Sequence, residues 1–145
     1  MVQAERDVEK AVSNLATKEL WMKLNGAPSV GFHMLHIAGS IDRLLTYARG
    51  ENLNQEQFNF LSAETDSSQT ANTAEVLQLT KQSFHAALET IKKTSDEILF
   101  EPRTVGRMKL PTNVFGLLFH IAEHTQRHTG QIIATAKIVR GVKSS

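Results

Sequence analysis

Asn113-Val-Phe-Gly-Leu-Leu-Phe-His120-Ile-Ala-Glu-His124-Thr-Gln-Arg-His128-Thr-Gly-Gln-Ile-Ile133 is the stretch that decides how this chain is read. Its apolar residues recur at three and four, the period of a helix with one buried face. Its three histidines recur every fourth residue, so they stack on one side of that helix, one turn apart. Over eight residues a helix climbs about 12 Å. All three therefore cannot reach one ion, and only an adjacent pair can chelate: His120 with His124, or His124 with His128. A third ligand must come from elsewhere, and His33 and His36 are candidates in a distant helical segment. Two ligands from one helix and one from another give the three-ligand, open set of a reactive metal centre.

Outward from this stretch the chain reads as helices. Val8, Val12 and Leu15 mark a first segment from about Val2 to Leu15. Asn25, Gly26 and Pro28 then punctuate, and Ser29 is a natural N-cap for a second helix from Val30 to about Arg49, stopped by Gly50. Residues 51 to 69 are polar and read as a loop, with a short helical turn around Gln55 to Ala63. Asp66 and Gln69 have the spacing of a capping pair ahead of a third helix, about Thr70 to Leu99. Glu101 to Pro111 is a connector with room for a short extended piece. Thr112 or Asn113 caps a fourth helix, about Val114 to Val139, before Gly141. Strand-type alternation is absent, so no sheet is expected. The expected fold is all-α, a four-helix bundle forming one domain over residues 1–145, with a metal site between its second and fourth helices. Trp21, Phe32, Phe84, Phe115 and Phe119 are expected in its core. Phe58 and Phe60 are expected to cover the bundle end or to form a pocket lid.

Composition narrows the chemistry. Sixteen Lys+Arg against 15 Asp+Glu is nearly balanced, which argues against nucleic acid as the main partner. There is no cysteine, so thiolate ligands, disulfides and an internal thiol nucleophile are excluded. A metal must be held by imidazole, carboxylate or backbone oxygen. The apolar run Val114 to Ala122 is too short to span a bilayer, and the charged N-terminus lacks a signal-peptide core; a soluble cytoplasmic protein is expected. The zincin motif is excluded, because Thr125 stands where its glutamate would follow the first histidine. The ferritin-like Glu-x-x-His motif is also excluded, because Gln126 stands three after Glu123. His85 has no histidine at three or four and is given no metal role.

The stretch His124-Thr-Gln-Arg-His128-Thr-Gly-Gln-Ile132 resembles the C-terminal signature of the DinB/YfiT-like family: His, three residues, His, one residue, Gly-Gln and an aliphatic. Ser29-Val-Gly-Phe-His33-Met-Leu-His36-Ile-Ala, continuing to Gly50, resembles the family's second-helix signature, in which a histidine precedes an Ile-Ala-type pair. The resemblance covers nearly the whole chain in element order. It implies a bundle binding a divalent metal, zinc or nickel, through His36, His124 and His128. His33 and His120 then lie near or behind the site. Thr129 departs from the arginine that many members carry after the last histidine. Characterised members include bacterial transferases and isomerases that use low-molecular-weight thiols such as bacillithiol or mycothiol.

The resemblance thus implies a small-molecule enzyme in which the metal activates an external thiol. It also implies a homodimer, which is the family's habit. Two alternatives stand beside this reading: a metal-dependent hydrolase with His33 or His120 as base, and a non-catalytic metal-binding stress-response dimer. Gln131, one turn past His128, can orient a ligand or contact substrate, although capping or core hydrogen bonding is its plainer role. Asp42 can accept the free N–H of a ligating histidine, although a solvated ion pair is its plainer role. Glu123 is expected on the surface, and Tyr47 in packing rather than proton donation.

Overall fold

A computed structural model of the chain describes residues 1–65 and 69–142. Four long helices form the bundle: α1 (Val2–Val12), α3 (Val30–Ala48), α5 (Thr73–Lys93) and α6 (Val114–Val142). Helix α3 packs on α5 and α6, and α1 packs on the same two, so the four close a ring. Two shorter helices decorate it. α2 (Thr17–Leu20) sits against α3 and α6, and α4 (Gln55–Ala63) lies along α3. The core is aliphatic, with Val8, Leu20, Met34, Ile37, Ile41, Leu117, Ile121 and Ile132 fully enclosed around Phe84.

Local chemistry sets the ends of α3. The Ser29 hydroxyl accepts the Phe32 N–H at 3.1 Å, satisfying a donor that the first helical turn leaves orphaned. At the other end Gly50 adopts φ +78°, where L residues are strained. That reversal lets the Glu51 N–H reach Thr46 O at 3.1 Å and the Gly50 N–H reach Tyr47 O at 2.9 Å, the paired bonds of a Schellman stop. Helix α4 is wider than a turn, and Asn54 and Gln57 cap each other reciprocally at its start.

Several boundaries differ from expectation. Helix α5 begins at Thr73, because Asn72 and Glu75 form its capping box; Asp66, half of the expected pair, lies outside the described residues. It ends at Lys93 rather than Leu99. Thr94 turns extended, and a 3-10 turn (Asp96–Ile98) follows, as befits a Thr-Ser-Asp run whose side chains compete for backbone bonds. Asn113, not Thr112, caps α6, its Oδ1 accepting the Gly116 N–H at 2.7 Å. α6 runs through Gly141, which stays helical and does not provide a left-handed stop.

The expectation of no sheet is overturned. β1 (Pro102–Val105) and β2 (Leu110–Asn113) form an antiparallel hairpin, with Pro102 opposite Asn113 and Val105 opposite Leu110. Its turn uses Gly106 at φ +74° and Lys109 at φ +48°. Four-residue strands are too short to show the alternation that reveals a strand in sequence. The hairpin is fastened to the bundle where Arg103 Nε donates to Ala48 O at 2.8 Å.

Phe115 and Phe119 are a second correction. They are 51% and 62% exposed. The buried face of α6 runs through Val114, Leu117, Leu118, Ile121, Thr125 and Ile132. At about 100° per residue, Phe115 and Phe119 rotate off that face. Phe84 is fully buried, while Trp21 and Phe32 are half-buried. No helix among the described residues is long and apolar enough to cross a membrane.

Candidate metal centre

The site forms where α3 and α6 pack. His33 and His36 share one face of α3, and His124 and His128 are a turn apart on α6. One ligand nitrogen each from His36, His124 and His128 lies within 4.8 Å of the other two. The ring centroids are 5.0 Å apart for His36–His124, 4.6 Å for His36–His128 and 4.5 Å for His124–His128. These three could hold a metal ion. The alternatives that spacing left open are thereby narrowed. His33 sits behind the cluster, its Nδ1 2.9 Å from His128 Nδ1. His120 stands outside it, with Nδ1 2.7 Å from Glu123 Oε1 on an exposed surface.

The donor set suits a cation of intermediate softness. Imidazole binds metal only when neutral, and the fold favours the neutral form of the two α6 rings and of His33 behind them. Burial, then the nearby His36, His120 and Arg127, lowers His124 to about 4. Burial, then the surrounding His124, His36, His33 and Arg127, lowers His128 to about 3. His33 falls to about 4, first by burial and then through His36. The His33–His128 contact needs one proton between the two Nδ1 atoms. With that proton on His128, its Nε2 lone pair is left for an ion.

Sequence reading missed Glu64. Its carboxylate is buried, with Oε2 2.7 Å from His36 Nδ1 and Oε1 accepting from Arg43 Nη1 at 2.7 Å. A carboxylate on Nδ1 fixes the His36 tautomer with the proton on that nitrogen, freeing Nε2 to face a metal and making it a better donor. His36 is further held by stacking on Phe32, with centroids 5.4 Å apart and planes 9° from parallel. Gly39 makes room for this arrangement, because a Cβ there would collide with Glu64 Oε1 and would meet Arg43 Nη1 and Phe60 at 2.7 Å. The available signal was that glycine, three residues past His36 inside a helical pattern. Its partner lay across a polar loop with nothing to mark it.

The model of the DinB superfamily matches residues 1–132. This chain belongs to the DinB superfamily. Its structure is similar to the crystal structure of a DinB-like protein from Bacillus cereus ATCC 10987, with a TM-score of 0.69 and 14% identity over 94% of this chain and 85% of that one. At that identity the likeness speaks to the fold alone. No match was found among curated proteins.

Asp42 takes its hydrogen bond from Gln57 Nε2 at 2.7 Å rather than from a histidine. Thr129, the departure from the DinB pattern, is fully buried, and its hydroxyl donates to Thr125 O at 2.8 Å within α6. Gln131 is exposed, and Tyr47 is half-buried beside the cavity next to His124. Phe58 lines that cavity, while Phe60 packs against the core beside Gly39. His85 is exposed on α5, 3.3 Å from Glu5 Oε1.

Proposed function

We propose that this protein is a metal-dependent transferase, with zinc or nickel held by His36, His124 and His128, acting on a low-molecular-weight thiol in the cytoplasm. The observation that carries the reading is the convergence of three imidazoles beside a cavity. Three neutral ligands leave a bound divalent ion its full charge and an open position, from which it can polarise a thiol towards thiolate near neutral pH. Glu64 orients His36, and His33 supports His128. Ser40, whose Oγ is 3.5 Å from His36 Nε2, and His124 both line a cavity of 250 Å³ on one side of the cluster. Such a hollow suits a small-molecule substrate. With no cysteine in the chain, the sulfur must come from outside.

Hydrolysis is the weaker reading. It needs a base beside the ion, and the candidates among the described residues are engaged: His33 by His128, His120 by Glu123, and the buried Glu64 carboxylate by both His36 and Arg43. The exposed run Phe100, Phe115 and Phe119, with successive centroids 6.2 Å apart, supports self-association as a homodimer. Light scattering of wild type beside Phe115→Ser/Phe119→Ser tests that part.

The decisive experiment is elemental analysis of tag-free protein beside the His36→Ala, His124→Ala and His128→Ala triple variant. About one ion per chain, lost in the variant, is expected, and a thiol-substrate screen then follows. A wild type that stays empty after incubation with zinc and with nickel would overturn the reading.

A further inference from the structure

The cavity beside His124 does not end there. It is walled by Leu44 and Tyr47 of α3, by Leu53 and Phe58, and by Gly106 and Arg107 at the hairpin turn. A second hollow of 590 Å³ continues from it, sharing Tyr47, Leu53, Phe58, Gly106 and Arg107 and extending to Lys109. The two make one groove. It starts at a candidate metal ligand, crosses an apolar floor and finishes under the hairpin.

The charge along this groove is one-sided. Among the described residues, the first hollow has no acidic residue in its wall, and the second has only Glu51, which Arg49 already binds at 2.8 Å. Two of the groove's cations are engaged: Arg43 by Glu64, and Arg103 by Ala48 O and Glu101. Arg107 and Lys109 make no side-chain hydrogen bond or ion pair among the described residues. Both stand on the turn that Gly106 and Lys109 shape with their left-handed backbone, closed by the Lys109 N–H on Gly106 O at 3.0 Å. The far end of the groove thus presents two unspent cations, and the middle presents leucine and phenylalanine.

We propose that this groove binds a small amphipathic carboxylate. The acid sits against Arg107 and Lys109, the apolar body lies over Leu44, Leu53 and Phe58, and the opposite end reaches the metal centre at His124. Arginine binds carboxylates through paired N–H donors, and lysine adds a point charge. The metal-reaching end rests on the function proposed above; the carboxylate end does not. The hairpin then has a task in recognition, as the element that carries the acid-binding residues to the bundle.

Matched probes test this. Titration calorimetry on zinc-loaded protein compares ω-mercaptohexanoate with ω-mercaptohexanol. A parallel arm follows amide shifts of metal-free protein with hexanoate and with hexanol. The acid is expected to bind about tenfold tighter than the alcohol in each arm, the effect of about 1.4 kcal/mol. In Arg107→Gln/Lys109→Gln the preference should vanish while zinc content stays unchanged. Equal binding of acid and alcohol in both arms, or a preference that survives in the double variant, would overturn the proposal. A protein that takes up no zinc yet keeps the hexanoate preference would sink the metalloenzyme reading and leave the carboxylate groove standing.

Discussion

The two sides of the histidine cluster are built differently. On the α3 side, His36 is clamped by a buried carboxylate, stacked on Phe32, and backed by Arg43 on that carboxylate. On the α6 side, His124 and His128 have no carboxylate partner among the described residues. Glu123, next to His124 in the chain, is turned to Arg127 at 2.6 Å and to His120. Their relative placement comes from helical spacing, and among the described residues their one polar tie is His33 on His128. The difference teaches that one candidate ligand is fixed by its neighbours, while the other two are lowered towards the neutral form and carry fewer ties.

The heaviest blow to that contrast is Glu64→Ala. It leaves Arg43 enclosed without its counter-ion, and a loss of about 3–5 kcal/mol is expected for a broken buried pair. Denaturant unfolding of the metal-free protein measures it; a loss within error would mean that Glu64 is not a clamp. Glu64→Gln keeps the shape but surrenders the charge. It should weaken zinc binding by roughly 10–100-fold, the usual effect of removing a carboxylate behind a ligating histidine. Competition against a chromophoric chelator reads this directly, and unchanged affinity would count against tautomer control.

Gly39→Ala probes the same clamp from its floor. The new methyl would collide with Glu64 and Phe60, so about 1–3 kcal/mol of destabilisation is expected. The α6 pair, together with His33 behind it, should answer to pH instead. Unfolded histidine titrates near 6.5, whereas in the fold His33 and His124 are lowered to about 4 and His128 to about 3. Between those values the unfolded chain binds more protons, so stability is full above about pH 6.5 and is lost as pH falls through about 4 towards about 3. Melting temperatures of metal-free protein across that window should drop, and less steeply in His33→Gln/His128→Gln. Identical slopes would refute the assignment. The smallest expected effect is at Thr125, whose buried hydroxyl has no partner among the described residues. Thr125→Val should leave stability unchanged or raise it by about 1 kcal/mol; a clear loss would reveal a hidden bond.

Much of the α-helical frame was legible because long helices advertise themselves. Ser29, Gly50 and Asn113 act through bonds to residues within a few positions, so their roles follow from local chemistry. The hairpin was not legible, because four-residue strands give periodicity too little length to show. Phe115 and Phe119 lie outside the core for a different reason: the angle at which each leaves the α6 axis, not its apolar character, decides its exposure.

By itself the sequence determined that the chain is helical, that His124 and His128 share one helix face, and that no thiolate can take part. These are properties of local spacing and residue type. Only the tertiary structure decided that His36 faces that pair, that His33 supports His128 from behind, and that Glu64 closes on His36 across the loop that separates them. Each of those contacts joins residues distant along the chain, and their meeting depends on how α3, α4 and α6 pack rather than on any interval that a sequence displays.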